Sequence, residues 1–434
     1  MKTFPIILHL LLPLSLAAQV NPKLQAKLDQ QAKEIEPKVI EWRRNFHENP
    51  ELGNREYKTG VKIAEHLKSL GINVQYPVAK TGVVGVLEGG KPGPVIALRA
   101  DMDALPIMER NGLAFASKVK TIFNGQETGV MHACGHDAHV AIMMAVAEIL
   151  AKNKSELKGT VKFLFQPAEE GPPQGEEGGA FLMVKEGVLE NPKVDVVFGL
   201  HMLSLLPSGQ LGYRSEGIMA AEDGFKIKVT GLGAHGATPW DSKDPIMIAS
   251  QIMIGLQTII SRQTELTKAP AVITIGSFHS GNRGNIIPEV AEMEGTIRSF
   301  DVGMQKTLHQ KIKLTAEKIA ESAGAKAEVE FGLGSPVTYN DPGLTAMMAP
   351  TLQRTVGISN TKIVAPTTLA EDFSFFQEKV PGLFFFLGAY PSDMNLTNPP
   401  VHHTADFIMD EKSFVTGVRA MLNLTLDYMF VVKK

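Results

Sequence analysis

The sequence MHACGHDAHVAIMMAVAEIL at residues 131–150 is the most informative stretch for the fold. Its second half, residues 140–150, is apolar at helical spacing and on almost every side, which predicts a buried helix. Short apolar runs typical of buried strands lie before and after it, at residues 95–98 and 160–165. Strands that alternate with helices in this way are typical of an α/β fold, in which a mostly parallel sheet carries helices on both faces.

The same alternation continues outward in both directions. Further strands are predicted at residues 83–87, 194–200 and 383–387. Further helices are predicted at residues 24–46 (with Pro37 starting a second helix), 61–70, 181–187 and 344–356. The strand at 383–387 reads LFFFL, the unbroken apolar character expected of a central strand.

A different pattern interrupts this alternation near Ala220. The stretch FKIKVTG at residues 225–231 alternates apolar and basic residues, so one face of that strand should contact solvent. Similar strands are predicted at residues 271–278, 291–300 and 327–331, and helices at residues 245–260 and 304–322. These elements predict an inserted α+β domain over residues 220–335, with a four-stranded sheet and two helices. The α/β domain is then discontinuous, over residues 19–219 and 336–434.

The bulk composition supports two domains and excludes some classes of partner. A chain of 434 residues is too long for one core, and a hydrophobic fraction of 44% with 21% charged residues is ordinary for a globular protein. The net charge is −3 and no dense run of Lys and Arg occurs, so we expect no nucleic-acid partner.

The N-terminus predicts export. Lys2 is followed by an apolar run at residues 4–16 and then by small residues, the pattern of a signal peptide over residues 1–18. The alternative is a membrane anchor, but the run is short for a span of about 20 residues. We therefore expect a periplasmic or extracellular protein without stable membrane insertion after signal removal. Cys134 is the only cysteine, so an internal disulfide is excluded and metal binding would explain the unpaired thiol.

Residues suited to a metal site follow several predicted strands. Asp101 and Asp103 follow one strand, Glu169 and Glu170 follow a second, and His201 follows a third. Sites in parallel sheets form beyond the carboxyl ends of strands, so these side chains should converge. Cys134 and His136 add a thiol and an imidazole just before the buried helix, whose N-terminus should favour the thiolate.

Each of these residues also has a structural interpretation. A lone cysteine is often core packing, adjacent glutamates often form a solvated turn, and Asp101 and Asp103 could be turn residues. His402 and His403 are either a surface pair or the source of a late ligand. His132 and His139 are interpreted as neighbours of the site rather than ligands. The clustering of Cys134 with three histidines in nine residues favours the functional interpretation.

The paired glutamates suggest a division of labour. Neighbouring residues on an extended backbone point to opposite sides, so one of Glu169 and Glu170 can bind metal while the other acts on water as a general base. Asp103 could orient a ligand histidine through a hydrogen bond. The sequence contains no G-x-S-x-G nucleophile motif and no phosphate-binding or dinucleotide fingerprint.

Nine motifs occur in an order that resembles a known superfamily. They are RADMDALP, HACGHDAH, FQPAEEG, GLH, GAHGATP, NIIPE, GTIRSFD, AEDFSFF and HHTADF. Together they resemble the aminoacylase and carboxypeptidase superfamily of dinuclear metallohydrolases. The most similar branch contains hippurate hydrolase and the indole-acetyl-amino-acid amidohydrolases. The resemblance covers nearly the whole chain after the signal peptide.

The resemblance implies a role for each site residue. The ligands of two divalent ions, zinc or manganese with cobalt as an alternative, would be Cys134, His136, Glu170, His201 and His403, with the cysteine able to bridge. Glu169 would be the general base, supported by Asp103.

The same resemblance makes the inserted domain a lid that forms a homodimer. There His235, Asn285 and Arg298 would meet the carbonyl or carboxylate of the substrate, in some relatives across the dimer. Two departures from the family pattern occur: Ala405 stands where proline is usual, and the lid motif ends in Trp240, which could change the size of the accepted group.

These observations predict an exported metallohydrolase. Its substrate would be the amide bond of an N-acyl amino acid or small peptide with a free carboxylate. A dipeptidase or carboxypeptidase is the enzyme alternative, because it also presents a carboxylate beside the scissile amide. An inactive metal-binding or ligand-binding protein of the same fold is the other alternative, although such a protein would have no need of Glu169.

Overall fold

A computed structural model describes residues 22–391 and 401–431, so the predicted signal peptide lies outside the described residues. The helices are α1 Pro22–Glu34, α2 Glu36–Glu48, α3 Tyr57–Ser69, α4 His136–Lys152, α5 Gly179–Lys185, α6 Pro245–Gln263, α7 Val302–Ser322, α8 Pro342–Val356, α9 Ser374–Gln377 and α10 Phe414–Val431. Within the described ranges, no helix has the length and apolar character needed to cross a membrane.

The strands are β1 Asn73–Val78, β2 Gly82–Glu88, β3 Lys91–Asp101, β4 Lys120–Phe123, β5 Gln126–Gly129, β6 Lys158–Gln166, β7 Val196–Pro207, β8 Leu211–Tyr213 and β9 Glu216–Met219. They continue with β10 Ala221–Thr230, β11 Ala234–His235, β12 Ala271–Ser280, β13 Ile286–Ile287, β14 Val290–Ser299, β15 Lys326–Phe331, β16 Thr338–Asn340, β17 Thr361–Ile363 and β18 Gly382–Tyr390.

The larger sheet has eight strands in the order β1-β2-β6-β3-β7-β18-β8-β17. Its centre is parallel, because β6, β3, β7 and β18 pair side by side in the same direction. Antiparallel pairings attach β1 and β2 at one edge and β8 beside β18 near the other. The sequence-based prediction of a mostly parallel α/β sheet, with LFFFL in an inner strand, is therefore confirmed.

Alternate residues of the central strands enter two different cores. Phe163, Phe198 and Phe385 pack into the core shared with α1–α4, α8 and α10. Their neighbours Leu164 and Phe384 pack into a second core with α5 and α9 on the opposite face. The two cores follow from the period of two along a strand. The prediction of helices on both faces is confirmed.

The smaller sheet is antiparallel and has the order β12-β14-β10-β15. One face is covered by α6 and α7, whose buried residues include Ile252, Leu256, Leu308 and Ile312. Residues of β10 alternate between this core and the open face, as the FKIKVTG pattern predicts. We call residues 220–335 the lid. The predicted four strands and two helices are confirmed.

Several parts of the fold differ from the sequence-based expectations. The strand carrying His201 continues to Pro207, so His201 lies inside β7 and not at its end. The β4–β5 hairpin and helix α10 were not predicted, and neither were β1 and the short strands β8, β9, β11, β13, β16 and β17. Helix α10 is apolar on most sides, but buried polar residues interrupt its pattern. One of them, Asp427, accepts a hydrogen bond from Arg354 of α8 at 2.7 Å.

Candidate metal centre

The ends of β3 and β6 and the start of α4 bring the predicted ligands together. Adjacent parallel strands β3 and β6 end at Asp101 and Gln166, and α4 begins at His136. Gly135 caps α4 with a φ of +101°, a conformation that side-chain-bearing residues rarely adopt. A Cβ at Gly135 would also come within 2.9 Å of the Met202 side chain, so only glycine lets α4 start this close to β7.

Cys134 lies at the centre of the ligand cluster. Its Sγ atom is 3.2 Å from His403 Nε2 and 3.6 Å from His201 Nε2. Ligand atoms of Cys134, His136 and Glu170 all lie within 4.8 Å of one another. His403 Nε2 also lies 3.0 Å from Glu170 Oε1. The structure thus brings together all five residues that the resemblance implied as ligands.

Two histidines present the same nitrogen towards this cluster. His136 uses Nδ1 to contact the Asp103 main-chain carbonyl at 2.9 Å and its carboxylate at 3.1 Å. His201 uses Nδ1 to contact the Met202 carbonyl at 2.7 Å. The buried Nε2 of His136 has no hydrogen-bond partner among the described residues. Histidine ligands of metals are held in this way, with one nitrogen fixed and the other free to bind an ion.

The two neighbouring histidines near the C-terminus occupy different positions. His403, with a φ of +61°, contacts Cys134 and Glu170, and its backbone N–H donates to the Ala133 carbonyl at 2.9 Å. His402 Nε2 instead accepts a hydrogen bond from the Ser204 N–H at 3.0 Å. His403 is therefore the histidine of this pair that faces the predicted ligands.

The electrostatics around Cys134 differ from the sequence-based expectation. Burial raises the pKa of the Cys134 thiol well above its usual range, and the negative charges of Glu170, Glu169 and Asp101 raise it further. These effects outweigh the helix N-terminus, which was expected to favour the thiolate. A buried thiol among carboxylates ionises when positive charge is added beside it, which a divalent ion supplies. The donor set fits a metal site.

The two adjacent glutamates have different surroundings. Glu170 contacts His403, and its backbone N–H donates to Asp103 Oδ2 at 3.0 Å. Glu169 Oε2 lies 3.7 Å from His136 Nε2. Burial raises the pKa of Glu169 well above its usual range, and the negative charges of Glu371, Glu170 and Asp372 add to the effect. This carboxyl therefore takes up a proton readily.

A buried glutamate not singled out from the sequence holds the turn before these residues. Glu56 Oε1 accepts a hydrogen bond from the Ala168 N–H at 2.8 Å, and its other oxygen accepts one from the Thr81 hydroxyl at 2.6 Å. Ala168 has a φ of +49°, so the turn needs this support. Burial and the nearby Asp103 carboxylate raise the pKa of Glu56 to about 8.

A buried ionic network lies beneath the cluster. Arg99 contacts Asp101 at 2.5 Å, Glu371 at 2.7 Å and Asp372 at 3.1 Å. Asp101 also contacts His139 Nδ1 at 2.5 Å, while His139 Nε2 accepts from the Met202 N–H at 2.8 Å. Both ring nitrogens of His139 are thus occupied. Arg99 and Glu371 lie inside two quoted motifs, RADMDALP and AEDFSFF, which was the one available signal for them.

The predicted substrate-binding residues divide between two places. Arg298 lines a cavity of about 410 Å³ together with Cys134, Glu169, His201 and His403, and we call this space the Arg298 cavity. His235 and Asn285 instead lie together on the exposed surface of the lid, where the Gly236 N–H donates to the Asn285 carbonyl at 2.9 Å. Neither lines the Arg298 cavity.

The fold and the site together define a class of protein. A thiol, imidazole and carboxylate cluster beside a buried glutamate, at the edge of an α/β sheet with an inserted lid, is the arrangement of a metal-dependent hydrolase. The chain belongs to the peptidase family M20/M25/M40, whose sequence profile matches residues 97–427. It is therefore a metallo-amidohydrolase or metallopeptidase, and the predicted resemblance is confirmed.

Individual relatives support this assignment. The chain is 42% identical over 407 residues to thermostable carboxypeptidase 2 of Saccharolobus solfataricus, covering 93% of this chain and 99% of that protein. It is 35% identical over 441 residues to the IAA-amino acid hydrolase ILR1-like 4 of Arabidopsis thaliana, covering 99% and 96%. The crystal structure of the Bacillus subtilis YXEP protein, a dinuclear metal binding peptidase, matches with a TM-score of 0.77 and 34% identity over 92% of this chain and all of that one.

Proposed function

We propose that this protein hydrolyses the amide bond of N-acyl amino acids or small peptides that carry a free carboxylate. The reaction consumes water and yields a carboxylic acid and a free amine. The observation that carries the proposal is that Glu169, the cluster around Cys134 and the cation of Arg298 all line one cavity. A proton acceptor, a site for metal and a partner for a carboxylate are thereby available to one small molecule.

Two divalent ions, zinc or manganese with cobalt as an alternative, are the proposed cofactors. Cys134, His136, Glu170, His201 and His403 would hold them. Bound ions would polarise the scissile carbonyl and make water more acidic. The likeness to a dinuclear peptidase supports the number of ions.

The residues of the chain would share the remaining tasks. Glu169 would accept the proton of the attacking water and then deliver it to the leaving amine. Asp103 would keep His136 oriented through their hydrogen bond. Arg298 would bind the substrate carboxylate; it contacts Glu222 through Nη2 at 3.0 Å, and a substrate carboxylate could take the place of Glu222.

A dipeptidase or carboxypeptidase is the second candidate function, and the names of the relatives favour neither. Hydrolysis of N-acyl amino acids and of free dipeptides should therefore be compared on the metal-loaded protein, before and after chelation. We expect hydrolysis of N-acyl amino acids that chelation abolishes and added metal restores. Turnover that is insensitive to chelation would contradict the proposal, and turnover of dipeptides alone would favour the second candidate.

We also propose that the protein is exported and forms a homodimer through the lid. The N-terminal pattern of Lys2 and an apolar run supports a signal peptide at residues 1–18. N-terminal sequencing of the protein recovered from its source cells should find that these residues are absent. The exposed position of His235 and Asn285, outside the Arg298 cavity, supports a role for them across a dimer.

A further inference from the structure

We propose that a second cavity binds the acyl group of the substrate and selects for apolar acyl groups. This inference rests on the proposed hydrolysis of N-acyl amino acids. It adds which cavity binds the acyl half of the substrate and which cavity binds the amino-acid half. The cavity has a volume of about 760 Å³ and is bounded by the tip of the β4–β5 hairpin. We call it the hairpin cavity.

The hairpin cavity adjoins the candidate metal centre. Glu170 lines both the hairpin cavity and the Arg298 cavity, so the two spaces lie next to each other at this candidate ligand. Asp103, which contacts His136, lies on the wall of the hairpin cavity alone. An amide bond held at the ligands would therefore extend one half into each space.

Part of the wall of the hairpin cavity is apolar and suits an apolar group, beside the polar side chains of Thr121, Asn124 and Gln174. The apolar part includes Leu52, Leu105, Pro106, Ile122 and Phe123, followed by two prolines of the loop after Glu170. Ile122 and Phe123 lie on the short strand β4, and their exposed fractions are 66% and 37%. Large apolar side chains that face a concave space are typical of ligand sites, where a ligand removes them from water.

The charges indicate which half of the substrate enters each cavity. Among the described residues, Arg55 is the one basic side chain lining the hairpin cavity, and both of its terminal nitrogens contact the Glu176 carboxylate, at 2.6 Å and 3.3 Å. Arg298 contacts the Glu222 carboxylate through Nη2 alone, while its Nε and Nη1 donate to main-chain carbonyls and a threonine hydroxyl. A substrate carboxylate therefore displaces one carboxylate contact at Arg298 and two at Arg55, which leaves the hairpin cavity for the acyl group.

The test compares N-octanoylglycine with N-acetylglycine on the metal-loaded wild type and on the double variant Ile122→Ala, Phe123→Ala. Losing this apolar contact should lower the octanoyl-to-acetyl ratio of kcat/KM by about tenfold or more, mainly through KM. Hydrolysis of N-acetylglycine should fall by a smaller factor than that of N-octanoylglycine, since the acetyl group is too short to make the contact. The control is Ile363→Ala, which removes an isoleucine that is 75% exposed on β17 and outside both cavities.

A ratio unchanged in the double variant would overturn the inference while leaving the proposed function intact. A change in the preference among amino acids, tested with acetyl derivatives of glycine, leucine and phenylalanine, would also overturn it, because the orientation would be reversed. Binding on a Glu169→Gln background gives a reading without turnover, and the Kd of N-octanoylglycine should rise by about tenfold in the double variant. That rise in a protein whose wild type hydrolyses none of these compounds would support the cavity and overturn the proposed function alone.

Discussion

At the scale of single residues, neighbours in the sequence have separate roles. Glu170 contacts His403, whereas Glu169 faces the cavity close to His136. The paired motif predicted such a division, the family resemblance implied which glutamate has which role, and the structure shows the surroundings of each side chain. Replacing the proposed general base and replacing a candidate metal ligand should therefore have different effects on metal content.

Glu169→Gln should reduce kcat by about 100-fold or more, because the general base is lost. Metal content should stay near that of the wild type, since the substituted glutamine keeps the shape of the side chain.

Cys134→Ala should instead lower the metal content measured by elemental analysis, because a candidate ligand is removed. Retained turnover in the first variant, or unchanged metal content in the second, would remove that residue from its proposed role.

His47 gives a prediction about pH and stability. Its buried ring contacts Asp137 at 2.7 Å and Glu109 at 2.9 Å. Burial lowers the pKa of His47, but the hydrogen bonds to Asp137 and Glu109 outweigh burial and raise it above the usual 6.5. Because the folded pKa is the higher one, the stabilisation is complete below about pH 6.5 and is lost as the pH rises through the folded value.

The free energy of unfolding of wild type and His47→Gln should therefore be measured from about pH 5.5 to about pH 9, a range that spans the ordinary histidine pKa. The advantage of the wild type should be largest at the acidic end and should shrink towards the alkaline end. Metal loading is kept identical in the two proteins, so that its own pH dependence cancels in the difference. An advantage that grows with pH would contradict a charged His47.

At the scale of elements, helices and strands with regular apolar patterns were predictable from the sequence. Elements that depend on pairing with distant strands, or that are mostly exposed, were not. The strands at the centre of the large sheet are buried on both faces, and their apolar runs signal this directly. The β4–β5 hairpin has no such signal, because its strands have four residues each and are mostly exposed. The extension of β7 beyond His201 depends on pairing with β18, which lies far away in sequence.

Shortening a buried side chain of the central strand β18 should destabilise the protein strongly. Phe385 lies on β18, and its side chain is fully buried against the helices of the larger core. Phe385→Ala should therefore lower the free energy of unfolding by about 3–5 kcal/mol. Ile363→Ala on the exposed edge strand β17 should change it by less than about 0.5 kcal/mol. Urea unfolding of the two variants measures the difference, and similar values would contradict the assignment of β18 to the core.

At the scale of the whole molecule, the sequence predicted the residue types of the site better than their arrangement. Cys134, His136, Glu170, His201 and His403 come from four separate segments of the chain, yet their motifs were recognisable in order. The support provided by Glu56 was not predictable, since a buried charge looks like a surface charge in sequence, and Arg99 was marked only by its place in the motif RADMDALP. The placement of His235 outside the cavity also required the fold.

The proposed dimer can be tested on the whole molecule. Light scattering should give twice the mass of one chain for the wild type. Ile254 is 67% exposed on helix α6 of the lid, so Ile254→Asp should weaken association through this face. Turnover should fall with it, because His235 would no longer reach a neighbouring cavity. Ile363→Asp is the matched control, and a monomeric wild type with full activity would contradict the proposal.

The contact between Cys134 and His403 joins residues 269 positions apart. A ribosome makes Cys134, His136, Glu170 and His201 long before it reaches His403. During most of translation the growing chain therefore carries an incomplete set of the candidate ligands. The set becomes complete only when the last part of the chain has been made and has packed against the loop before α4. Assembly of the complete candidate metal centre thereby depends on the last part of the chain to be made.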